Sequence, residues 1–306
     1  MASVKDSIKE ILPSTTKTCW WIVKLTVGVS AAMMLLKYFG ILPVIADFVQ
    51  PVFKWFGLPG DAALAYVSGY FVNVYSALAV IGTLDLTVRQ LTILGTMVLC
   101  SHSMILETAV IKKTGVSGTA IVIVRTLSAI LLGVVLNKIL PAEDGSLIAA
   151  SATETTQQEF IPVLLEWLKS TLKLVVMMIA IIYSLNILQK LLKDFGIMEK
   201  ISRFLRPMML FFGLPPKTAF LWIVANLIGL GYGAAAMLDE IEHGALEKDD
   251  ILLIDTHICV SHSNLEDLLL VTAMGAVWYV MLLSRWAVSF LLVWAIRLKK
   301  MLFNSR

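Results

Sequence analysis

Two short runs carry most of the side chains that could do chemistry. Ser101-His102-Ser103 is followed four residues later by Glu107, and Ser261-His262-Ser263 is followed by Glu266 and Asp267. An imidazole within reach of a carboxylate can relay a proton or coordinate a cation, and flanking hydroxyls can hydrogen-bond a polar solute. All these groups lie in strongly apolar sequence. An ionisable side chain there costs several kcal/mol unless it is paired or wet, so a functional role is the default expectation. The structural alternative is that Ser and His satisfy backbone groups freed where a helix breaks. Two copies, each with its own acid, favour function.

Arg125 and Arg285 each stand ten residues beyond a glycine, Gly115 or Gly275, that opens a helical run. Ten residues at 1.5 Å reach about 15 Å, near the middle of a bilayer. Two roles are open for them: clamping an anionic group of a substrate, or neutralising Glu107 and Asp267. Cys100 and Cys259 flank the two runs. With His102, His262, Glu107 and Asp267 they would suit a borderline divalent metal such as Fe2+, Mn2+ or Zn2+. A closed ligand set at Cys-x2-Cys or His-x3-His spacing is absent from the sequence. Asn73 and Asn226 are candidates for contact with a polar solute. Asp255 and His257 come just before the second run, lining an entry path or facing outer solvent. A serine activated by histidine would make an intramembrane enzyme. Adjacent Ser and His on one element point apart, so no catalytic residue is assigned.

The elements that position these groups must be membrane helices. Of 306 residues, 58% are hydrophobic and 15% charged, with mean hydropathy +0.84; soluble domains run nearer half apolar and a quarter charged. A spanning helix needs about 20 apolar residues. Apolar runs occupy 19–36, 62–84, 116–136, 174–188, 218–238 and 274–296. Net charge is only +3, which gives no reason to expect a nucleic-acid partner. The three cysteines lie in or beside apolar runs, which argues against a disulfide framework. The first apolar stretch lacks a small-residue cleavage site and is expected to stay as a helix.

The chain also repeats itself. Residues 39–80 align without a gap on 195–236, with 12 identities in 42 positions, among them Phe56-Gly57-Leu58-Pro59 on Phe212-Gly213-Leu214-Pro215. Four residues are then inserted. Beyond them Ser101-His102-Ser103 falls on Ser261-His262-Ser263, Glu107 on Asp267, and Arg125 on Arg285. Shared apolar composition would not repeat the most polar positions, so a duplication is inferred.

Cytoplasmic loops are enriched in Lys and Arg. Taking the runs 62–84 and 218–238 as full crossings and the Ser-His-Ser segments as re-entrant hairpins puts 16 bases inside and two, Lys54 and Lys248, outside, or six with Lys37, Lys138, Lys169 and Lys173 at the outer boundary. Each half then begins on the face where the other ends. The expected fold is an all-α polytopic membrane protein of two inverted repeats, each with about three transmembrane helices, one interfacial helix and one re-entrant helical hairpin. Residues 1–140 form the first repeat, 141–160 an external linker and 161–306 the second repeat. Both termini are expected in the cytoplasm and the chain in the inner membrane.

An interfacial helix, an FGLP turn and a Ser-His-Ser-x3-acid element in each half resemble the Gate (nucleoside recognition) family of membrane proteins. Concentrative nucleoside transporters and the membrane part of ferrous-iron transporter B proteins share that domain. The resemblance implies a secondary transporter of a small polar solute, nucleoside-like or otherwise. A divalent-metal permease is the alternative and an intramembrane enzyme a distant third. It further implies a site between the two Ser-His-Ser segments. Coupling by H+ or Na+, a lipid bilayer as surroundings and a homodimer are the remaining expectations. The GxxxxGK[ST] motif of a GTP-binding domain does not occur in the sequence.

Overall fold

A computed structural model describes residues 3–142, 147–148 and 160–303. Most of the expected linker 141–160 and the terminal Arg306 lie outside these. The described chain is almost wholly helical. Among the described residues, five helical stretches are long and apolar enough to cross a membrane: Val4–Tyr38, Val88–Lys112, Gly118–Ile139, Phe160–Asp194 and Trp278–Leu302. The chain is a multi-pass membrane protein.

In the first half, α1 (Val4–Tyr38) ends at Gly40, whose φ of +70° turns the chain sharply into α2 (Ile41–Phe53). A left-handed residue of this kind carries little strain only in glycine. Helix α2 exposes Phe48 at 86%, and its counterpart α9 (Ile197–Phe211) exposes Phe204 at 80%. α9 also carries Lys200, Arg203 and Arg206, the composition of a helix lying along a membrane surface. The FGLP turn follows, then α3 (Ala62–Phe71), α4 (Val74–Ile81), α5 (Val88–Ser101), α6 (Met104–Lys112) and α7 (Gly118–Ile139). The second half repeats the series as α8 (Phe160–Asp194), α9 (Ile197–Phe211), α10 (Ala219–Leu227), α11 (Leu230–Glu242), α12 (Lys248–Ser261), α13 (Glu266–Ala273) and α14 (Trp278–Phe303).

The hairpins are not where the sequence reading puts them. α3 and α4 fold back on each other around Val72 and Asn73, so closely that a Cβ at Gly69 would sit 3.0 Å from the Ala77 Cβ. α10 and α11 do the same around Gly229, with a Cβ at Gly233 only 2.7 Å from that of Ala225. Small residues are what let two helix backbones approach this far. By contrast, α7 packs along both α5 and α6, so the Ser-His-Ser segment is a break within one helical stretch of 25 residues rather than a turn.

Polar contacts fix the ends. At the start of α5, Arg89 donates from Nη2 to the Asn137 carbonyl (2.5 Å) and Oδ1 (2.6 Å), and Asn137 Nδ2 donates to the Trp55 carbonyl (3.0 Å). The run 62–84 therefore leaves and returns to the same end of the molecule. In the second half Lys217 Nζ meets Asp250 Oδ2 at 2.6 Å and Lys300 Nζ meets Asp249 Oδ1 at 2.5 Å. The hydrogen bond that Lys217 donates to Asp250 holds its ammonium above its ordinary pKa. The expected placement thus changes for two bases: Arg89 joins the end that holds 38–60, and Lys248 joins the end that holds 189–217. Their exchange leaves the surplus of bases at the same end.

The halves meet along α1 and α8. Thr16 Oγ1 and Tyr183 OH lie 2.7 Å apart, Ser30 Oγ and Thr171 Oγ1 3.1 Å, and Trp167 Nε1 donates to Ser30 Oγ at 2.9 Å. Away from that seam, α7, α8 and α14 expose Leu131, Leu168, Leu172 and Leu291, the apolar face that hydrocarbon covers.

Candidate functional site

The breaks that follow α5 and α12 come together at the centre of the fold. Each ends in an extended histidine, His102 (ψ 160°) or His262 (ψ 177°), followed by a serine at positive φ, +50° for Ser103 and +53° for Ser263. Such a serine is uncommon and held by its neighbours. The Ser103 amide donates to the Gly69 carbonyl at 2.9 Å, and the Ser263 amide to that of Ala225 at 3.3 Å. Each hairpin thus braces the break in its own half.

A helix that stops inside protein leaves carbonyls without partners and the negative end of its dipole exposed. The two arginines meet both needs. Arg125 donates from Nε to the Cys100 carbonyl (3.0 Å) and from Nη2 to that of His102 (2.8 Å). Arg285 does the same for Val260 (2.9 Å) and His262 (2.5 Å). Both are fully buried. Beyond this shared task they differ. Arg125 also pairs with Glu107 Oε2 at 2.6 Å, whereas Arg285 turns Nη1 to Asn264 Oδ1 at 3.2 Å. Arg125 thus stands as the counter-ion of Glu107, with its Nη1 lacking a hydrogen-bond partner among the described residues, while Arg285 makes no such carboxylate pair.

The histidines cross between the halves. His262 Nε2 lies 3.2 Å from Glu107 Oε1. His102 Nε2 lies 3.1 Å from Asp267 Oδ2 and 3.2 Å from Glu107 Oε1. The ring centroids are 5.1 Å apart. His102, His262 and Glu107 form a set whose ligand atoms all lie within 4.8 Å of one another. The cysteines stand apart from that set. Cys259 Sγ contacts the Thr256 carbonyl at 3.2 Å and lines an apolar cleft with Ile121 and Val124; Cys100 is fully buried beside the break.

The remaining candidates fall into supporting positions. Ser101 Oγ donates to Tyr66 OH (3.1 Å) or the Met97 carbonyl (2.9 Å). Ser261 Oγ lies 2.8 Å from His257 Nδ1, a nitrogen that also receives the Trp222 indole N–H at 3.2 Å. That nitrogen is therefore not free to act as a base on Ser261. Asn73 caps α4 through the Ser76 amide at 2.9 Å. Asn226 Oδ1 accepts from Asn264 at 2.5 Å. Glu266 accepts the Tyr75 hydroxyl from the first hairpin. Asp255 and His257 are fully buried rather than facing solvent, and Asp255 accepts from Thr114 Oγ1 at 2.5 Å. Asn264 was not legible beforehand because it aligns with Met104, outside the repeated polar set.

The profile of the Gate family, described as nucleoside recognition, matches residues 19–118. An uncharacterised membrane protein of Bacillus subtilis (strain 168), YvoD, is 30% identical over 285 residues, which cover 92% of this chain and 90% of that protein. The chain belongs to the Gate family. No solved structure matches it. The Gate profile spans α2 through α6, so it covers the first hairpin, the first break, His102 and Glu107. Their counterparts in the second half of this Gate protein are identified by the internal repeat.

Proposed function

We infer that the protein is a secondary transporter whose translocation site is the cross-repeat centre of His102, His262, Glu107 and Asp267. The single observation that carries this is that each histidine reaches an acid of the other half, at breaks in two helices of opposite direction. In inverted-repeat transporters the substrate sits near midplane where discontinuous helices meet, and non-helical backbone at that depth is tolerated only inside protein or along a cavity.

On this reading α1, α5–α6 and α7 cross the membrane, α2 lies at its surface and α3–α4 is the re-entrant hairpin. The second half is the same unit inverted, and the end rich in bases, with both termini, is cytoplasmic. Either a small polar solute or a divalent cation could be carried; the donor set at the centre favours the cation.

Access to the centre tests the transport reading without knowledge of the solute. Ser263→Cys, in a chain with Cys19, Cys100 and Cys259 changed to alanine, is treated with an impermeant maleimide in right-side-out and inside-out vesicles. Labelling from both faces is expected of alternating access. Labelling from one face only, or from neither, would refute it.

A further inference from the structure

The imidazoles at the centre are held in one tautomer by the backbone. His102 Nδ1 faces the Val98 carbonyl at 3.3 Å and His262 Nδ1 faces that of Ile258 at 2.8 Å. A carbonyl oxygen only accepts, so in both rings Nδ1 carries the hydrogen and donates it. The neutral ring then presents a lone pair at Nε2. Both Nε2 atoms nevertheless point at carboxylate oxygens, at 3.2, 3.1 and 3.2 Å. Lone pair against lone pair at that separation is repulsive unless a positive centre lies between them.

Two centres could fill that place: a proton on each ring, or one metal ion. Separations of 3.1–3.2 Å suit an N–H···O hydrogen bond and equally two ligands of one ion, so the surroundings distinguish the two. Ligand atoms about 2.1 Å from a first-row divalent cation lie about 3.0 Å apart along an octahedral edge and about 3.4 Å apart along a tetrahedral one. The three nitrogen–oxygen separations fall inside that interval, and the three ligand atoms of His102, His262 and Glu107 lie within 4.8 Å of one another. The surroundings also match a metal site. Metal-bound histidines characteristically donate their other N–H to a backbone carbonyl or a carboxylate, which fixes ring orientation, and both rings here do so. Arg125 holds Glu107 by Oε2, leaving Oε1 for the ion. Two imidazole nitrogens with carboxylate oxygen form a borderline donor set, which suits Zn2+, Mn2+ or Fe2+ over Mg2+ or Ca2+.

We propose that His102 Nε2, His262 Nε2 and Glu107 Oε1, with Asp267 as a further oxygen donor, bind a divalent first-row transition-metal cation, and that this cation is the transported substrate. The second clause rests on the transport reading above; the first does not. Because the ligands come from both halves, a rocking motion that separates the two breaks would pull His262 away from His102 and release the ion.

The test separates the two clauses. Purified full-length protein in detergent is titrated with Zn2+ and with Mn2+ by calorimetry, and the same protein in liposomes is assayed for Mn2+ uptake. One ion per chain is expected. His102→Gln and His262→Gln should each weaken binding by about 100-fold or more, while Cys100→Ser and Cys259→Ser should leave it within a few-fold. Folding of each variant is checked by its elution as a single species. His262→Cys, which supplies a different ligand at the same place, should recover Zn2+ binding. Absence of binding by the wild type, or binding unchanged in both glutamine variants, would overturn the metal site and return the centre to an imidazolium–carboxylate cluster. Binding without uptake would overturn the metal as substrate while leaving the site intact.

Discussion

Arg125 and Arg285 share two carbonyl contacts but only Arg125 meets a carboxylate, and that difference can be measured. Arg125→Met removes the guanidinium from Glu107, leaving the buried acid only His102 and His262, and frees the Cys100 and His102 carbonyls. Removing one partner of a buried pair costs about 3–5 kcal/mol, most of it the unpaired charge. Adding Glu107→Gln removes that charge, so the double variant should be more stable than the sum of the singles by about 1.5–3 kcal/mol. The matching cycle of Arg285→Met with Asp267→Asn should be nearly additive, within about 0.5 kcal/mol, because Arg285 gives its third nitrogen to Asn264. Reversible unfolding in mixed micelles of rising SDS content, followed by tryptophan fluorescence, supplies all six variants and the wild type on one scale. Additivity in the Arg125 cycle, or equal coupling in both cycles, would refute the assignment of Arg125 as both helix cap and counter-ion.

Three further outcomes are expected. Ser103→Val should lower stability by about 1–2 kcal/mol, because a β-branched residue is strained at φ +50°, whereas Ser103→Gly should be tolerated; thermal unfolding in detergent distinguishes them. Gly233→Ala should cost about 1–3 kcal/mol by overpacking against Ala225, while Gly28→Ala, with open space around it, should be neutral or slightly stabilising in the same assay. Arg89→Cys should be labelled by an impermeant thiol reagent from the periplasmic or outer face and Lys248→Cys from the cytoplasmic face. The reverse pattern would reinstate re-entrant Ser-His-Ser hairpins.

Much of this arrangement was legible in the sequence. The duplication placed His102, His262, Glu107, Asp267, Arg125 and Arg285 as equivalent pairs, because ionisable groups in apolar runs stand out against their surroundings. The hairpins were misplaced for a physical reason. The run 62–84 is apolar throughout and long enough to span, and its turn is marked only by Asn73, a residue favoured as a helix N-cap. The Ser-His-Ser run looked like a turn because it is polar, yet its polarity serves the centre rather than solvent. A capping box at Thr87 and Gln90 marks where α5 begins, and counting from it to Lys112 gives a length that crosses. Which acid each histidine meets could not be read at all. Repeat alignment pairs residues within a half, and the exchange between halves is a property of their packing.

That exchange also orders the making of the protein. Glu107 and His262 are 155 residues apart in the chain, so the first half enters the membrane with His102 lacking Asp267 and Glu107 lacking His262. Arg125, on the helix that follows, and His102, just before it, are the partners Glu107 can acquire while synthesis is still under way. Completion of the centre waits for α12 and α13, among the last elements to be inserted. A ribosome that stops short of them leaves a chain with most of its spans in place and its cluster of histidines and acids unbuilt.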